Sequence, residues 1–167
     1  KQLKKLRSQG DSIRQIQTDK NQKTGKYYHL MIKHIEKVLK NIKRIYPAYD
    51  IMSGYELSGF IWFQGWNDMV DQSTYPDRGK PGGYDEYTNT LNHFIRDVRR
   101  DLQVPNLPFI IGVMGVGGPV DKYGTDQKRY ADIHRGFRQS MSAPSLVPEF
   151  RGNAKVVLTE KYWDSQL

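Results

Sequence analysis

Apolar residues at Tyr28, Met31, Ile35, Val38, Leu39, Ile42 and Ile45 recur at the spacing of one helical face, with Lys33, Lys37, Lys40 and Lys43 largely off it. The spacing predicts an amphipathic helix of about five turns, stopped by Pro47. From Leu57 to Phe63 the pattern becomes a nearly continuous apolar run, which suits a parallel strand buried on both faces. Tyr84, Tyr87, Leu91, Phe94, Ile95, Val98 and Leu102 return to the helical period. Phe109 to Met114 reads as a second buried strand. Tyr130, Ile133, Phe137 and Met141 mark a third helix, and Val156 to Thr159 a third strand. Helices alternating with strands imply right-handed crossovers and a parallel sheet with helices on both faces.

Before Tyr27 there is too little apolar surface for a core, since Leu3, Leu6, Ile13 and Ile16 are the only aliphatic residues. Residues 1–26 are expected to form a basic polar leader, a loop or partly disordered. Residues 27–167 are expected to form the central and C-terminal part of one α/β domain, incomplete as it stands. The chain of 167 residues carries 26 Lys and Arg against 18 Asp and Glu, a net charge of +8. Much of that excess sits in the leader, where Lys1, Lys4, Lys5, Arg7, Arg14, Lys20, Lys23 and Lys26 face only Asp11 and Asp19. Charge alone would suggest a nucleic-acid partner, but no helix-turn-helix, finger or ribonucleoprotein motif accompanies it, and none is expected. The chain has no cysteine, which removes disulfides and thiolate zinc sites. No apolar run approaches the roughly 20 residues that span a bilayer.

In a parallel sheet the ligand crevice lies beyond the carboxyl ends of the strands. That rule brings together Gln64 to Asp68, Gly115 to Asp121 and Glu160 to Asp164. The glycine-rich segment is not a dinucleotide fingerprint, because Val120 stands where the last glycine belongs and Pro119 removes a backbone donor. Gly115, Gly117 and Gly118 instead allow sharp turns and close approach to a ligand or a neighbouring loop. In Gln64-Gly65-Trp66-Asn67-Asp68, Gly65 supplies a bend and Asn67 an amide whose N–H groups can face a developing oxyanion. Asp68 can accept backbone N–H groups and fix the turn. The long, turn-rich segment from Met69 to Gly83 has the character of a functional loop.

The remaining candidates are weaker. Gly10-Asp11-Ser12 looks like a nucleophile turn but lacks the strand that presents such a serine. His29 and His34 read as a helix flank, while His93 and His134 lie inside helical patterns and not in loops. No metal site and no cofactor are expected.

Trp62-Phe63-Gln64-Gly65-Trp66-Asn67-Asp68 resembles the third sequence block of SGNH-type hydrolases, Gly-x-Asn-Asp. The text around it is similar to the sialate O-acetylesterase domain, related to carbohydrate esterase family 6. Further similarity appears at Pro81-Gly82-Gly83-Tyr84, Ile111 to Gly115 and Tyr162-Trp163-Asp164. The resemblance implies a three-layer α/β/α sandwich and a serine esterase that removes acetyl groups from sugars. It also implies an extracytoplasmic location, periplasmic or secreted. Asn67 inherits the oxyanion role, with Gly65 shaping the turn; Gln64, Trp66, Asp68, Gly115 and Gly117 would support or line the site. Many relatives place glutamate where this chain has Trp66, and neither the family's serine block nor its terminal histidine block is recognisable. A non-catalytic reading therefore competes, in which Trp66, Tyr75, Tyr84 and Trp163 form a sugar-stacking surface.

Overall fold

The computed structural model describes residues 3–5, 15, 16, 18, 20, 24–164 and 166. Two compact units emerge, Lys1–Gly54 and Tyr55–Leu167. Most of the leader, Ser12 included, lies outside the described residues.

In the first unit, helix α1 runs Lys26–Leu39, shorter than its apolar repeat. Asn41 adopts φ −142°, which breaks the α run, and Ile42–Arg44 continue as a single 3-10 turn. Asparagine competes with helix through its own side-chain hydrogen bonding, and here it ends the helix well before Pro47. Of the residues on α1, Ile32 is buried.

The second unit contains the parallel sheet. Strands β1 (Phe60–Trp62), β2 (Phe109–Val113) and β3 (Ala154–Leu158) lie in that spatial order, with Phe60 beside Phe109 and Phe109 beside Ala154. Helix α3 (Asp85–Asp101) connects β1 to β2, and α4 (Ala131–Ser142) connects β2 to β3. A short helix, α2 (Trp66–Val70), follows β1. This is the expected α/β class with a parallel sheet.

Helix α3 begins with Asp85 and Glu86 and ends with Arg99 and Arg100, charges that complement its dipole. Its buried stripe is Tyr87, Leu91, Ile95 and Val98. Both crossover helices pack on the same side of the sheet. Phe94 of α3 lies against Phe60 (5.8 Å) and Trp62 (4.4 Å), while Phe137 of α4 meets Tyr84 (4.9 Å) and Tyr87 (4.7 Å). Burying a ring such as Phe137, which has no exposed surface, contributes about 2–3 kcal/mol.

One expectation fails at β1. Its apolar run suggested burial on both faces, yet Ile61 is 77% exposed and Phe63 is 63% exposed. Among the described residues β1 is an edge strand, and α3 covers only the face that carries Phe60 and Trp62. Aromatic and β-branched residues favour any strand, so the run fixed the element without fixing its burial.

Candidate active site at the carboxyl edge of the sheet

The turn after β1 is shaped by what lies beneath it. Gly65 is buried with φ +151°, and a Cβ there would come within 2.7 Å of the Phe137 ring. Gly65 opens α2, so Trp66, Asn67 and Asp68 form the first helical turn. Gln64 Nε2 donates to Asp68 Oδ2 at 2.9 Å, and the Tyr75 hydroxyl reaches Asp68 Oδ1 at 3.5 Å. Asp68 thus fixes the turn through side chains. Tyr87 donates to the Gln64 carbonyl at 3.2 Å, and Tyr84 to the Met69 carbonyl at 2.6 Å. Burial raises the Tyr84 phenol to about 12. Burial, assisted by the Asp68 charge, does the same to Tyr75. Both therefore remain neutral donors.

These contacts correct one sequence reading. Tyr75 and Tyr84 are 6% and 1% exposed and form part of the core, so they cannot belong to a sugar-stacking surface. Asn67 is exposed, and its side chain makes no hydrogen bond among the described residues. The 69–83 loop is ordered from inside: Arg78 donates to the carbonyls of Met69 and Val70, and Asp71 accepts from the backbone and hydroxyls of Ser73 and Thr74. The Ser73 hydroxyl is the largest of the contacts that hold the Asp71 carboxyl far below its usual range.

The second and third segments are locked together. Gly115 lies so close to the loop after β3 that a Cβ would sit 2.4 Å from the Glu160 nitrogen. Thr159 Oγ1 donates to the Val113 carbonyl at 2.7 Å. Arg138 of α4, 9% exposed, gathers the rest. Its Nε donates to Met114 O at 3.0 Å, Nη2 to Val116 O and Gly118 O at 2.9 Å each, and Nη1 pairs with Glu160. Four acceptors from two loops converge on one guanidinium, a planar fork suited to that task.

The result is a cleft of about 450 Å³. Trp66, Val116, Gly117 and Trp163 line it, so each of the three strand-end segments contributes to its wall. Arg78, Tyr123, Tyr130 and His134 are among the other residues that line it. Gln64, Asn67, Asp68 and Gly115 stand behind or beside the wall and are not part of its lining. A second depression of about 430 Å³ opens beside the Arg138–Glu160 pair but has no aromatic lining. Sequence reasoning missed Arg138 and placed His134 in scaffold. Their signal was available: His134, Phe137, Arg138 and Met141 share one helical face, so two basic groups occupy an otherwise apolar stripe. Among the described residues, no group of three or more His, Asp or Glu side chains is arranged to hold a metal ion. No helix among them is long and apolar enough to cross a membrane.

The family model for carbohydrate esterase, sialic acid-specific acetylesterase, matches residues 7–147. The chain belongs to that family. Membership agrees with the resemblance carried by Trp62 to Asp68, and the matched carbohydrate-esterase segment includes β1, β2, both crossover helices and most of the cleft wall. A probable carbohydrate esterase of Arabidopsis thaliana is 30% identical over 70 residues, 41% of this chain. The match spans 24% of the plant protein, about a quarter of its length. No solved structure matches this carbohydrate-esterase family chain.

Proposed function

We propose that the protein is a carbohydrate O-acetylesterase working through a serine acyl-enzyme, and that this chain supplies the oxyanion side of the site. Family membership over residues 7–147 carries the reading. It is supported by a cleft at the sheet edge where parallel α/β folds bind ligands, and by the open amide of Asn67 beside Trp66. The general base takes the serine hydroxyl proton as the serine oxygen attacks the acetyl carbonyl, and the carbonyl electrons move onto oxygen. Asn67 N–H stabilises that oxyanion as it collapses and expels the sugar alkoxide, which takes a proton from the general base. Water then attacks the acyl-enzyme, releasing acetate and restoring serine. In this proposal the nucleophile and base belong to sequence blocks that this chain does not carry. An extracytoplasmic location is part of the same proposal and rests on resemblance.

Acetate release from β-D-glucose pentaacetate by the full-length protein tests the reading. Asn67→Ala should lower turnover by about 10² to 10³, the typical loss for one oxyanion donor. Unchanged turnover would remove Asn67 from the mechanism.

The half-exposed rings of Trp66 and Trp163 favour a second reading, a sugar-binding domain without hydrolysis. A full-length protein that binds sugars but does not react with a serine-directed phosphonate would favour it.

A further inference from the structure

The cleft contains one imidazole, His134, and the direction in which the Tyr123 hydroxyl donates sets which ring nitrogen carries its proton. His134 Nδ1 lies 2.6 Å from the Tyr123 hydroxyl oxygen, which is itself 3.1 Å from the Val116 carbonyl oxygen. A carbonyl only accepts, and a phenol has a single proton to give. With Tyr123 donating to Val116, its oxygen must accept from His134, so Nδ1 carries the hydrogen. Nε2 then holds a lone pair. It is not a buried unpartnered atom and has no hydrogen-bond partner among the described residues, so it is open to the cleft.

The ring is held as firmly as its proton. Tyr130 stacks on it at 5.8 Å with an 11° tilt, and Tyr123 meets it edge-on at 5.7 Å. Tyr123 is pinned against Gly117, where a Cβ would fall 2.7 Å from its hydroxyl. Burial, reinforced by the Arg138 charge, holds the imidazole pKa below its usual value, so Nε2 remains an acceptor at neutral pH. Around this acceptor stand Trp66 and Trp163, 53% and 47% exposed. A neutral acceptor beside apolar ring faces matches a pyranose, which offers a C–H face and hydroxyl donors.

We propose that His134 is a specificity-determining residue whose Nε2 accepts a hydrogen bond from a free hydroxyl of a pyranose lying on the aromatic wall. The proposal rests on the esterase reading and names what that site selects. Two probes separate them: mono-O-acetylated methyl β-D-glucopyranosides, which keep free hydroxyls, and p-nitrophenyl acetate, which has no sugar. Measured with the full-length protein, His134→Ala should reduce kcat/KM for the sugar about tenfold more than for p-nitrophenyl acetate, the worth of one hydrogen bond. Tyr123→Phe, which releases the tautomer, should give a smaller loss with the same bias. His134→Gln keeps an acceptor oxygen and should recover part of the sugar preference; it also serves if the alanine variant does not fold. An equal loss on both probes, or no loss on the sugar, overturns the proposal and leaves the esterase reading intact. Wild-type protein inert on both probes overturns the esterase reading and this proposal with it.

Discussion

Each end of the sheet is tied by one buried arginine, and the two arginines do different work. At the amino end, Arg99 donates to the Leu107 carbonyl (3.1 and 3.0 Å), the Asn153 carbonyl (3.2 Å) and Asn153 Oδ1 (2.8 Å). Its guanidinium lies 5.1 Å from the centre of the Phe150 ring, and burial lowers its pKa. That end is closed: Phe150 has no exposed surface, and Arg96 also lies near its ring while pairing with Glu149. At the carboxyl end, Arg138 likewise gathers backbone carbonyls, but it is matched by a carboxylate, Glu160, and lines the second depression, while Val116, whose carbonyl it holds, lines the cleft. The same device therefore closes one end of the fold and, at the other, fixes two loops beside an open cleft. A guanidinium that collects carbonyls is evidence of rigidity; function depends on what the rigid loops leave open.

Removing either arginine should give the largest effects. Arg99→Met takes the donor from the Leu107 carbonyl and Asn153 Oδ1, and Arg138→Met from the Met114 and Gly118 carbonyls and its partner Glu160, so each should cost about 3 kcal/mol in urea unfolding. If Arg138→Met cost nothing while Arg99→Met destabilised, the carboxyl-end loops would not depend on that clamp. The glycines come next. Gly115→Ala drives a methyl into the Glu160 backbone, and Gly65→Ala drives one into the Phe137 ring, so each should cost about 1–3 kcal/mol. Backbone gives way less readily than a ring, so Gly115→Ala should be the worse of the two; the reverse order would show that the loop after β3 moves freely.

The smallest effect is on acid stability. The folded pKa of His134 lies below its ordinary 6.5. As pH falls, the unfolded chain takes up that proton first, so this contribution is full above about 6.5 and declines as pH drops through 6.5 towards the folded value. Glu149, hydrogen-bonded by Arg96, has a folded pKa below its ordinary 4.5. Its contribution is present above 4.5 and is lost only as pH falls through the lower folded value. The carboxyl end should therefore loosen first. Urea unfolding between pH 7 and 5 should show a decline in the wild type that His134→Gln flattens; equal declines in both would contradict this.

The helices were legible in sequence because their buried stripes repeat cleanly, as Leu91, Ile95 and Val98 do in α3. The convergence of three strand ends was legible too, since a parallel sheet sends its strands to one edge. Local pattern could not show how many layers cover each strand, and so Ile61 was misplaced. Nor could it separate a buried aromatic from an exposed one: Tyr84 turns its hydroxyl inward to the Met69 carbonyl, while the Trp66 ring is half exposed. Arg138 escaped notice because a basic residue inside a helix is ordinarily a solvated one, and His134 was set aside because it lies inside a helical pattern and not in a loop. Their helical face was visible, but the four acceptors waiting for Arg138 come from loops distant in sequence.

The most direct test of the difference between the two ends is acetate release per folded molecule for Arg99→Met and Arg138→Met, measured on the full-length protein with β-D-glucose pentaacetate. Arg99→Met should keep the wild-type rate once its folded fraction is taken into account, and Arg138→Met should lose most of it. Equal rates in the two variants would contradict the assignment of function to the carboxyl edge.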